Sequence, residues 1–330
     1  MSWLLALALY STTDTIEIPV DDLRYEKRYV LRVPDEWNRK LVIGAHGGSG
    51  GEAHSRDGRV MGTDETALDD VVGVYAVSRG FAYASLDRDG IGGTPEGLAL
   101  TKAFTDLMRE RLGNVIRTYL VGLSMGGGIA RLAAEEAEPA FDGVVIIAGA
   151  HGDARSGDER RARMAELWPL DEDEASAYAE LVATPPEARR FWPFLGQSSV
   201  GRAGSGGPGR ETSGLIRVPV IEVVGTFDDF VRAEVLAYKR KVLARGQGAR
   251  HRLYQIEGAW HISSDDDAIS SFQYAGSRMG LSSEEIDAMA TGTTYIPTVQ
   301  EALELLDRWV DDGTVPPEDA TIRERQRLTP

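Results

Sequence analysis

Ser124 has the clearest chemical context in the chain, within the sequence Gly-Leu-Ser-Met-Gly at residues 122–126. The apolar run at residues 119–121 predicts a buried strand before the serine, and apolar residues at helical spacing predict a helix after it. A serine in a strained turn between a strand and a helix forms a nucleophile elbow, which leaves almost no room for side chains two residues away on either side. The first N–H groups of the helix then point at the serine. The pattern predicts that Ser124 is a nucleophile.

A second match to the same pattern occurs at residues 47–51, where Ser49 lies among glycines. A predicted strand precedes it, but glycine, Glu52 and polar residues follow where the elbow requires a helix. We therefore prefer Ser124 over Ser49. An ordinary turn between a strand and a helix remains the alternative interpretation of Ser124.

A serine hydroxyl becomes a good nucleophile only when an oriented base takes its proton. Among the five histidines, His261 lies in the loop directly after the last predicted strand, which places it at the same sheet edge as Ser124. The third group should be a carboxylate after the predicted strand at residues 218–224. Asp228 is preferred because it closes a Gly-x-x-Asp turn there, and Asp229 is the alternative, with helix capping as its simpler role. The expected chain order is Ser, Asp, His.

An oxyanion hole needs two preset N–H donors for the charge that grows on the carbonyl oxygen. Met125, directly after the nucleophile, should supply one of them. The loop after the predicted strand at residues 41–45 should supply the other, with Gly48 preferred and Gly47 second, because glycine lets the backbone approach the substrate closely. His46 in the same loop is expected to support it by hydrogen bonding rather than to transfer protons.

The rest of the chain predicts alternating strands and helices, which indicates an α/β protein with a mostly parallel sheet covered on both faces. Predicted strands occupy residues 15–20, 27–34, 41–45, 81–86, 119–121, 144–148, 218–224 and 251–256. Predicted helices occupy residues 65–79, 94–112, the segment after Ser124, 231–244 and 299–310. Thr94 and Pro95 form a cap-then-proline signature at the start of the second helix, and Gly113 follows its end.

One long region interrupts the alternation, because about seventy residues without a clear strand separate the predicted strands at 144–148 and 218–224. We expect residues 1–150 and 215–330 to form the core domain and residues 151–214 to form a helical cap inserted over the carboxyl edge of the sheet. The candidate substrate-binding residues are Trp168, Phe191, Trp192 and Trp260. The alternative is that the cap aromatics form only a small core within the cap.

Composition disfavours several classes of partner. The chain has 330 residues and a formal net charge of −16, which argues against nucleic acid and anionic membrane surfaces and favours small neutral substrates. No apolar run reaches the roughly 18 residues that span a bilayer. The chain has no cysteine, which removes disulfides, thiol nucleophiles and cysteine metal sites.

Two segments allow two interpretations each. Residues 3–10 are apolar and fit either a clipped signal-peptide core or a segment that packs on the domain, so the sequence does not assign a compartment. The sequence does not assign an oligomeric state either. The three aspartates at residues 265–267 fit a cation site or, more simply, a solvated acidic loop. The chemistry expected of Ser124 needs no metal or organic cofactor.

The combination of His46-Gly47-Gly48, the elbow, the Gly-Thr-Phe-Asp turn ending at Asp228 and His261, in that order, resembles the α/β-hydrolase superfamily. The resemblance covers most of the chain and implies the α/β-hydrolase fold with an inserted helical cap. The C-terminal sequence at residues 302–317, which includes Trp309 to Pro317, is similar to the end of the tannase and feruloyl-esterase family. That family usually has cysteines beside the nucleophile and the histidine, where this chain has Leu123 and Trp260.

The expected function is hydrolysis of small, largely neutral carboxylic esters through an acyl-enzyme on Ser124. The same residues could instead cleave an amide, a peptide or a carbon–carbon bond. A binding protein without catalysis on the same fold is the alternative from another class. An epoxide or haloalkane hydrolase is disfavoured because those enzymes carry aspartate at the position of Ser124.

Overall fold

The computed structural model describes residues 9–47, 53–54, 60–62, 68–88, 94–149, 212–226, 228–259, 294–323 and 328. The strands are β1 (Leu9–Val20), β2 (Leu23–Pro34), β3 (Lys40–Ala45), β4 (Ala53–His54), β5 (Val60–Gly62), β6 (Ala82–Leu86), β7 (Arg117–Leu123), β8 (Gly143–Ile147), β9 (Val220–Gly225), β10 (His251–Ile256) and β11 (Ala320–Ile322). The α-helices are α1 (Val74–Ser78), α2 (Pro95–Leu112), α3 (Met125–Ala134), α4 (Asp229–Ala244) and α5 (Ile296–Asp312).

Nine of these strands form one sheet in the order β1-β2-β6-β3-β7-β8-β9-β10-β11. The β1–β2 hairpin is antiparallel and joins β6 in the antiparallel sense, whereas every pairing from β6 to β11 is parallel. Strands β4 and β5 pair separately. The expected α/β architecture with a mostly parallel sheet is confirmed, and its parallel part brings the ends of β3, β7, β9 and β10 to one edge.

The two faces of the sheet bury alternate residues of each central strand. Val121 and Val145 belong to the hydrophobic cluster beneath α1 and α5, whereas Leu120 and Ile146 belong to the cluster beneath α2 and α3. All four side chains are fully buried, and burial of such a side chain contributes about 1.5–3 kcal/mol. The central strands β7 and β8 therefore bury apolar side chains on both faces, as in parallel sheets covered by helices on both sides.

Local capping chemistry explains why α2 has the bounds expected from the sequence. The hydroxyl of Thr94 accepts a hydrogen bond from the N–H of Gly97 at 3.1 Å, and Pro95 occupies the first turn. The helix ends at Gly113, whose φ of 62° is unfavourable for residues with a side chain. Start and end are both determined by residues adjacent in the sequence.

Two expectations about the elements are corrected. The helix expected at residues 65–79 is a π-helical turn, Asp69–Gly73, followed by α1, and residues 63–67 lie outside the described ranges. The side chain of Gln300 donates to the carbonyl of Val71 in this turn, a tertiary contact that local periodicity does not reveal. Strands β4, β5 and β11 were not expected, because two or three residues are too short for an alternating pattern.

The division into a core and a cap at residues 151–214 remains a prediction, because residues 150–211 lie outside the described ranges. Within those ranges, no helix combines the length and the apolar character needed to cross a membrane.

Candidate active site

Ser124 occupies the junction between β7 and α3 in a backbone conformation that few residues adopt. Its φ is 54° and its ψ is −113°, and such a conformation costs on the order of 1–3 kcal/mol. The N–H of Ser124 donates to the carbonyl of Ile147 in β8 at 2.8 Å, and the carbonyl of Ser124 accepts from the N–H of Gly128 at 3.2 Å. These bonds hold the strained turn at the carboxyl edge of the sheet.

The glycines that flank Ser124 are required by close backbone contacts. A Cβ on Gly122 would lie 2.2 Å from the carbonyl oxygen of Gly126, and a Cβ on Gly126 would lie 1.9 Å from the carbonyl oxygen of Ala45. The start of α3 therefore packs directly on the backbone at the end of β3. Both contacts involve backbone atoms, so no side-chain rotation could relieve them.

The loop after β3 approaches the serine equally closely. A Cβ on Gly47 would lie 2.9 Å from the Cβ of Ser124 and 3.2 Å from the carbonyl oxygen of Leu123. Met125 is the first residue of α3, so its N–H belongs to the first turn, whose N–H groups have no partner within the helix. Gly48, the other expected oxyanion donor, lies outside the described residues.

His46 is a structural histidine whose hydrogen bonds assign its tautomer. Its Nε2 accepts from the backbone N–H of Arg88 at 2.9 Å, so its Nδ1 carries the proton and donates to the carbonyl of Gly47 at 2.6 Å. Burial, together with the positive charge of Arg88, lowers the pKa of His46 from 6.5 to about 3. His46 therefore stays neutral and supports the loop, as expected from the sequence.

Arg88 is a residue of this edge that sequence reasoning missed. Its side chain is almost completely buried, and its Nη2 donates to the carbonyl of His46. The available signal was its position immediately after β6, at the same edge as Ser124. With His46, it fixes two successive carbonyls in the loop that passes the serine.

Asp228 lies after β9 in the turn expected from the sequence. Its N–H donates to the carbonyl of Gly225 at 3.2 Å, which closes the Gly-x-x-Asp turn, and its carbonyl accepts from the N–H of Arg232 at 2.7 Å. The residue is 1% exposed. Within the described part of the chain, the Asp228 side chain makes no capping hydrogen bond to α4. Asp229 is the first residue of that helix.

Thr226 connects the Asp228 turn to the loop after β10. Its N–H donates to the carbonyl of Ile256 at 2.9 Å, and its hydroxyl accepts from the N–H of Gly258, also at 2.9 Å. This loop leads directly toward residue 261. The turn with the candidate acid and the loop toward the candidate base are therefore joined by hydrogen bonds.

The structure thus brings together some of the expected site residues. Ser124, Met125 and the Gly47 backbone meet at the junction of β3, β7 and α3, and Asp228 lies after β9 at the same edge. The expected residues outside the described ranges are Gly48, Trp168, Phe191, Trp192, Trp260 and His261. Residues 265–267 also lie outside them, and the described residues contain no group of three or more His, Asp or Glu side chains that could hold a metal ion.

The chain matches the alpha/beta hydrolase domain family over residues 111–328, about two thirds of its length. It belongs to this family, and its sheet with helices on both faces is the α/β-hydrolase fold. Comparison with curated protein sequences gives no match.

Several solved structures are similar to this chain at low sequence identity. A dienelactone hydrolase from Anabaena variabilis is 15% identical with a TM-score of 0.46, over 82% of this chain and 96% of that chain. An esterase from Pyrococcus furiosus is 16% identical with a TM-score of 0.46, over 84% and 93% respectively. A carboxyl esterase from Tuber melanosporum is 15% identical with a TM-score of 0.45, over 84% and 85%.

The contact between Gly126 and β3 predicts a severe effect of Gly126→Ala. The added methyl group would overlap the backbone of Ala45, so α3 must move away from β3, and we expect a loss of about 3 kcal/mol or more in unfolding free energy. Urea denaturation measures this loss. Gly248→Ala is the matched control, since its Cβ would meet only the tip of the Leu243 side chain, and it should cost less than about 1 kcal/mol. Equal effects of both variants would contradict the argument.

The neutral, buried state of His46 predicts a pH-dependent stability. Because its pKa is about 3 when folded and 6.5 otherwise, the unfolded chain binds a proton below pH 6.5 that the folded chain does not. Stability should therefore fall as the pH is lowered through 6.5 toward 3, with His46 accounting for about 1.5 kcal/mol between pH 6.5 and 5.

Urea denaturation of the wild type and of His46→Gln across this pH range measures that contribution. Burial lowers the pKa of His251 as well, so His251 adds to the loss in both proteins and only their difference reports His46, whereas the lowered pKa values of Glu222 and Asp311 act at lower pH. The variant should show a shallower dependence than the wild type. Identical slopes for the two proteins would show that His46 is not held neutral.

Proposed function

We propose that this protein is a serine hydrolase of carboxylic esters, with Ser124, His261 and Asp228 as its catalytic triad. The observation that carries the proposal is the strained backbone of Ser124, held at the sheet edge with Gly47 against its side chain. Strained backbone that is over-determined by its surroundings is concentrated at functional sites. Membership of the α/β-hydrolase family supports the same class of reaction.

The reaction proceeds in two steps, acylation of Ser124 and hydrolysis of the acyl-enzyme. The Oγ of Ser124 attacks the ester carbonyl carbon while His261 takes the hydroxyl proton, and the bond to the alcohol breaks as His261 returns that proton to the leaving alcohol. Water then attacks the acyl carbon while His261 takes its proton, and the acyl–oxygen bond breaks as His261 returns that proton to Oγ of Ser124, which releases the carboxylic acid. Asp228 holds the imidazole in the productive orientation and stabilises its charged form. The burial of Asp228 and the Thr226 link to the loop after β10 support this role.

The N–H groups of Met125 and Gly48 are proposed to receive the negative charge of the tetrahedral intermediate. Preset donors are effective because they need no reorganisation during the reaction. His46 bonds the carbonyl of Gly47, and Arg88 bonds the carbonyl of His46. The backbone leading into Gly48 is thus held at two successive peptide groups, which supports a preset donor.

The proposed substrates are small and largely neutral, in keeping with the net charge of −16. We propose that Trp168, Phe191 and Trp192 of a cap at residues 151–214, with Trp260, form the substrate pocket. The tail that resembles the tannase and feruloyl-esterase family contacts β10: Arg252 donates to the carbonyl of Pro316, and Tyr254 to that of Pro317. These contacts give the tail a structural role against β10, so its sequence does not by itself indicate an acyl group.

Ser124→Ala tests the nucleophile. We expect kcat on p-nitrophenyl acetate and butyrate to fall by on the order of a millionfold, whereas loss of one oxyanion donor would cost about 10²–10³-fold. Ser78→Ala is the matched control, because the Ser78 hydroxyl bonds only its own helical turn at the carbonyl of Tyr75 in the described contacts. Near-native turnover by Ser124→Ala would reject the proposal.

Further substrates and a covalent probe distinguish the alternative functions of the same fold. Matched ester, anilide and diketone substrates separate an esterase from an amidase and from a carbon–carbon hydrolase, and the ester should react fastest. A fluorophosphonate probe should label Ser124, as found by mass spectrometry. Absence of labelling and of turnover would favour a binding protein without catalysis.

Asp228 and its neighbour Asp229 provide a direct test of the acid. Asp228→Asn should lower kcat by on the order of 10⁴-fold, because an amide no longer orients the imidazole correctly. Asp229→Asn should leave kcat within about threefold of the wild type, because Asp229 is the first residue of α4 and is not the proposed acid. The reverse ranking would assign the role to Asp229.

A further inference from the structure

A row of charged and polar side chains crosses the interior of the protein beneath the catalytic edge. Arg131 of α3, Glu222 of β9 and His251 of β10 are all 0% exposed. His251 contacts Lys239 of α4, and Lys239 pairs with Asp319, which precedes β11. The proposed mechanism uses none of these five residues. We call Arg131, Glu222 and His251 the buried triplet.

The contact between α3 and β9 is a fully buried ion pair. Nη2 of Arg131 donates to Oε1 of Glu222, and the Arg131 guanidinium lies 4.9 Å from the ring centre of Tyr238 in α4. A Cβ on Gly149 would lie 3.2 Å from the guanidinium carbon, so the backbone after β8 packs against the same group. The guanidinium is therefore enclosed by β8, β9 and α4.

The carboxylate of Glu222 also forms a hydrogen bond to β10. Nε2 of His251 lies 3.2 Å from Oε2 of Glu222, and because an ionised carboxylate only accepts, Nε2 carries the proton. Nδ1 of His251 then accepts from Nζ of Lys239 at 3.3 Å, and Lys239 pairs with Asp319 at 2.7 Å.

The protonation states favour these bonds. Burial alone would raise the pKa of Glu222, but the charge of Arg131 and the hydrogen bond from His251 outweigh it and lower that pKa. Burial lowers the pKa of His251 and keeps its ring neutral, despite the opposing effect of Glu222. An ionised Glu222 therefore accepts from a charged Arg131 and a neutral His251.

The triplet connects the elements that lead to the three proposed catalytic residues. Arg131 lies about two helical turns after Ser124 on α3. Glu222 lies on the strand that runs into the Asp228 turn, and His251 begins the strand that leads toward His261. A shift of α3 along the sheet would therefore break its directional bond to Glu222 of β9, the carboxylate that also bonds His251 of β10.

Apolar packing alone would hold α3 less specifically. The first turns of this helix face the sheet with Gly126 and Gly127, which carry no side chain to interlock with neighbours. Buried ion pairs are poor stabilisers, since apolar residues of similar size often give equal or greater stability, but their hydrogen bonds have a preferred geometry. The buried charges therefore suggest that this ion pair fixes the position of α3 on the sheet rather than adding stability.

We propose that Arg131, Glu222 and His251 are positioning residues, which hold the helix of Ser124 in register with the strands that lead to Asp228 and His261. The inference rests on the proposed function and extends it to residues that do not touch substrate. A substitution far from the reacting atoms that displaces the reacting groups by about 1 Å can lower a rate by on the order of 100-fold. The expected signature is thus a slower reaction in a protein that remains folded.

The double variant Arg131→Met with Glu222→Gln tests the proposal. It removes the charge pair, fills the space with side chains of similar volume and keeps an oxygen that accepts from His251. We expect Tm to stay within about 5 °C of the wild type, KM within about threefold, and kcat to fall by about 10–100-fold. Fluorophosphonate titration should count nearly all sites as competent, with a slower rate of labelling.

A second ion pair, at the amino edge of the sheet, provides the matched control. Lys40 of β3 pairs with Asp307 of α5 at 2.7 Å, with side chains 12% and 19% exposed. The double variant Lys40→Met with Asp307→Asn should change Tm by a similar amount and leave kcat within about twofold. Equal losses of kcat in both double variants would show that the loss follows from reduced stability alone, and would overturn the proposal.

The remaining outcomes separate this inference from the function on which it rests. If the double variant at Arg131 and Glu222 keeps the wild-type kcat and labelling rate, positioning is refuted while the hydrolase stands. If kcat falls only in proportion to the titrated sites, the triplet serves folding alone and the proposal is again overturned. If the wild type neither turns over esters nor reacts with the phosphonate, the proposed function fails, and positioning of a triad fails with it.

Discussion

The contact of α3 with the end of β3 is the constraint on which the site depends. Gly126 lies so close to the carbonyl of Ala45 that its Cα hydrogen cannot be replaced by carbon, and Gly47 has the same relation to Ser124. Three backbone segments therefore meet without intervening side chains: the end of β3, the end of β7 and the start of α3. This proximity brings a strained serine, the first turn of a helix and a glycine loop to one point, which is what acyl transfer requires of a scaffold.

Burial determines which histidines could transfer protons. His46 and His251 are both enclosed, and each is held in one neutral tautomer by bonds at both ring nitrogens. A proton shuttle must gain and lose a proton near neutral pH, and burial lowers the pKa of both rings. These two histidines therefore serve structure, His46 beside the candidate oxyanion loop and His251 at the start of β10. The assignment of His261 as the base relies on its place in the chain after β10.

Features set by neighbouring residues could be predicted from the sequence, and features set by distant partners could not. The bounds of α2 and the glycine elbow follow from capping and steric rules that act over a few residues. The π-helical turn before α1 and the three-residue β11 depend on tertiary contacts, and both were missed. Arg88 was missed because its bond to His46 joins residues 42 positions apart. Glu222 did give a signal, as the one charged residue in the apolar run of β9, but its partner Arg131 lies 91 positions earlier.

Depth distinguishes the Arg131–Glu222 pair from the Lys40–Asp307 pair, each of which joins a helix to this sheet. Water reaches Lys40 and Asp307, so solvent can replace either partner when the helix shifts, and many arrangements have similar energy. Arg131 and Glu222 exclude water, and a shift that separates them leaves two charges without solvation. The half-buried pair thus tolerates more movement of α5, whereas the fully buried pair penalises displacement of α3 more strongly. A helix that begins at a proposed nucleophile requires the second kind of restraint, because the reaction depends on distances and the fold depends only on burial.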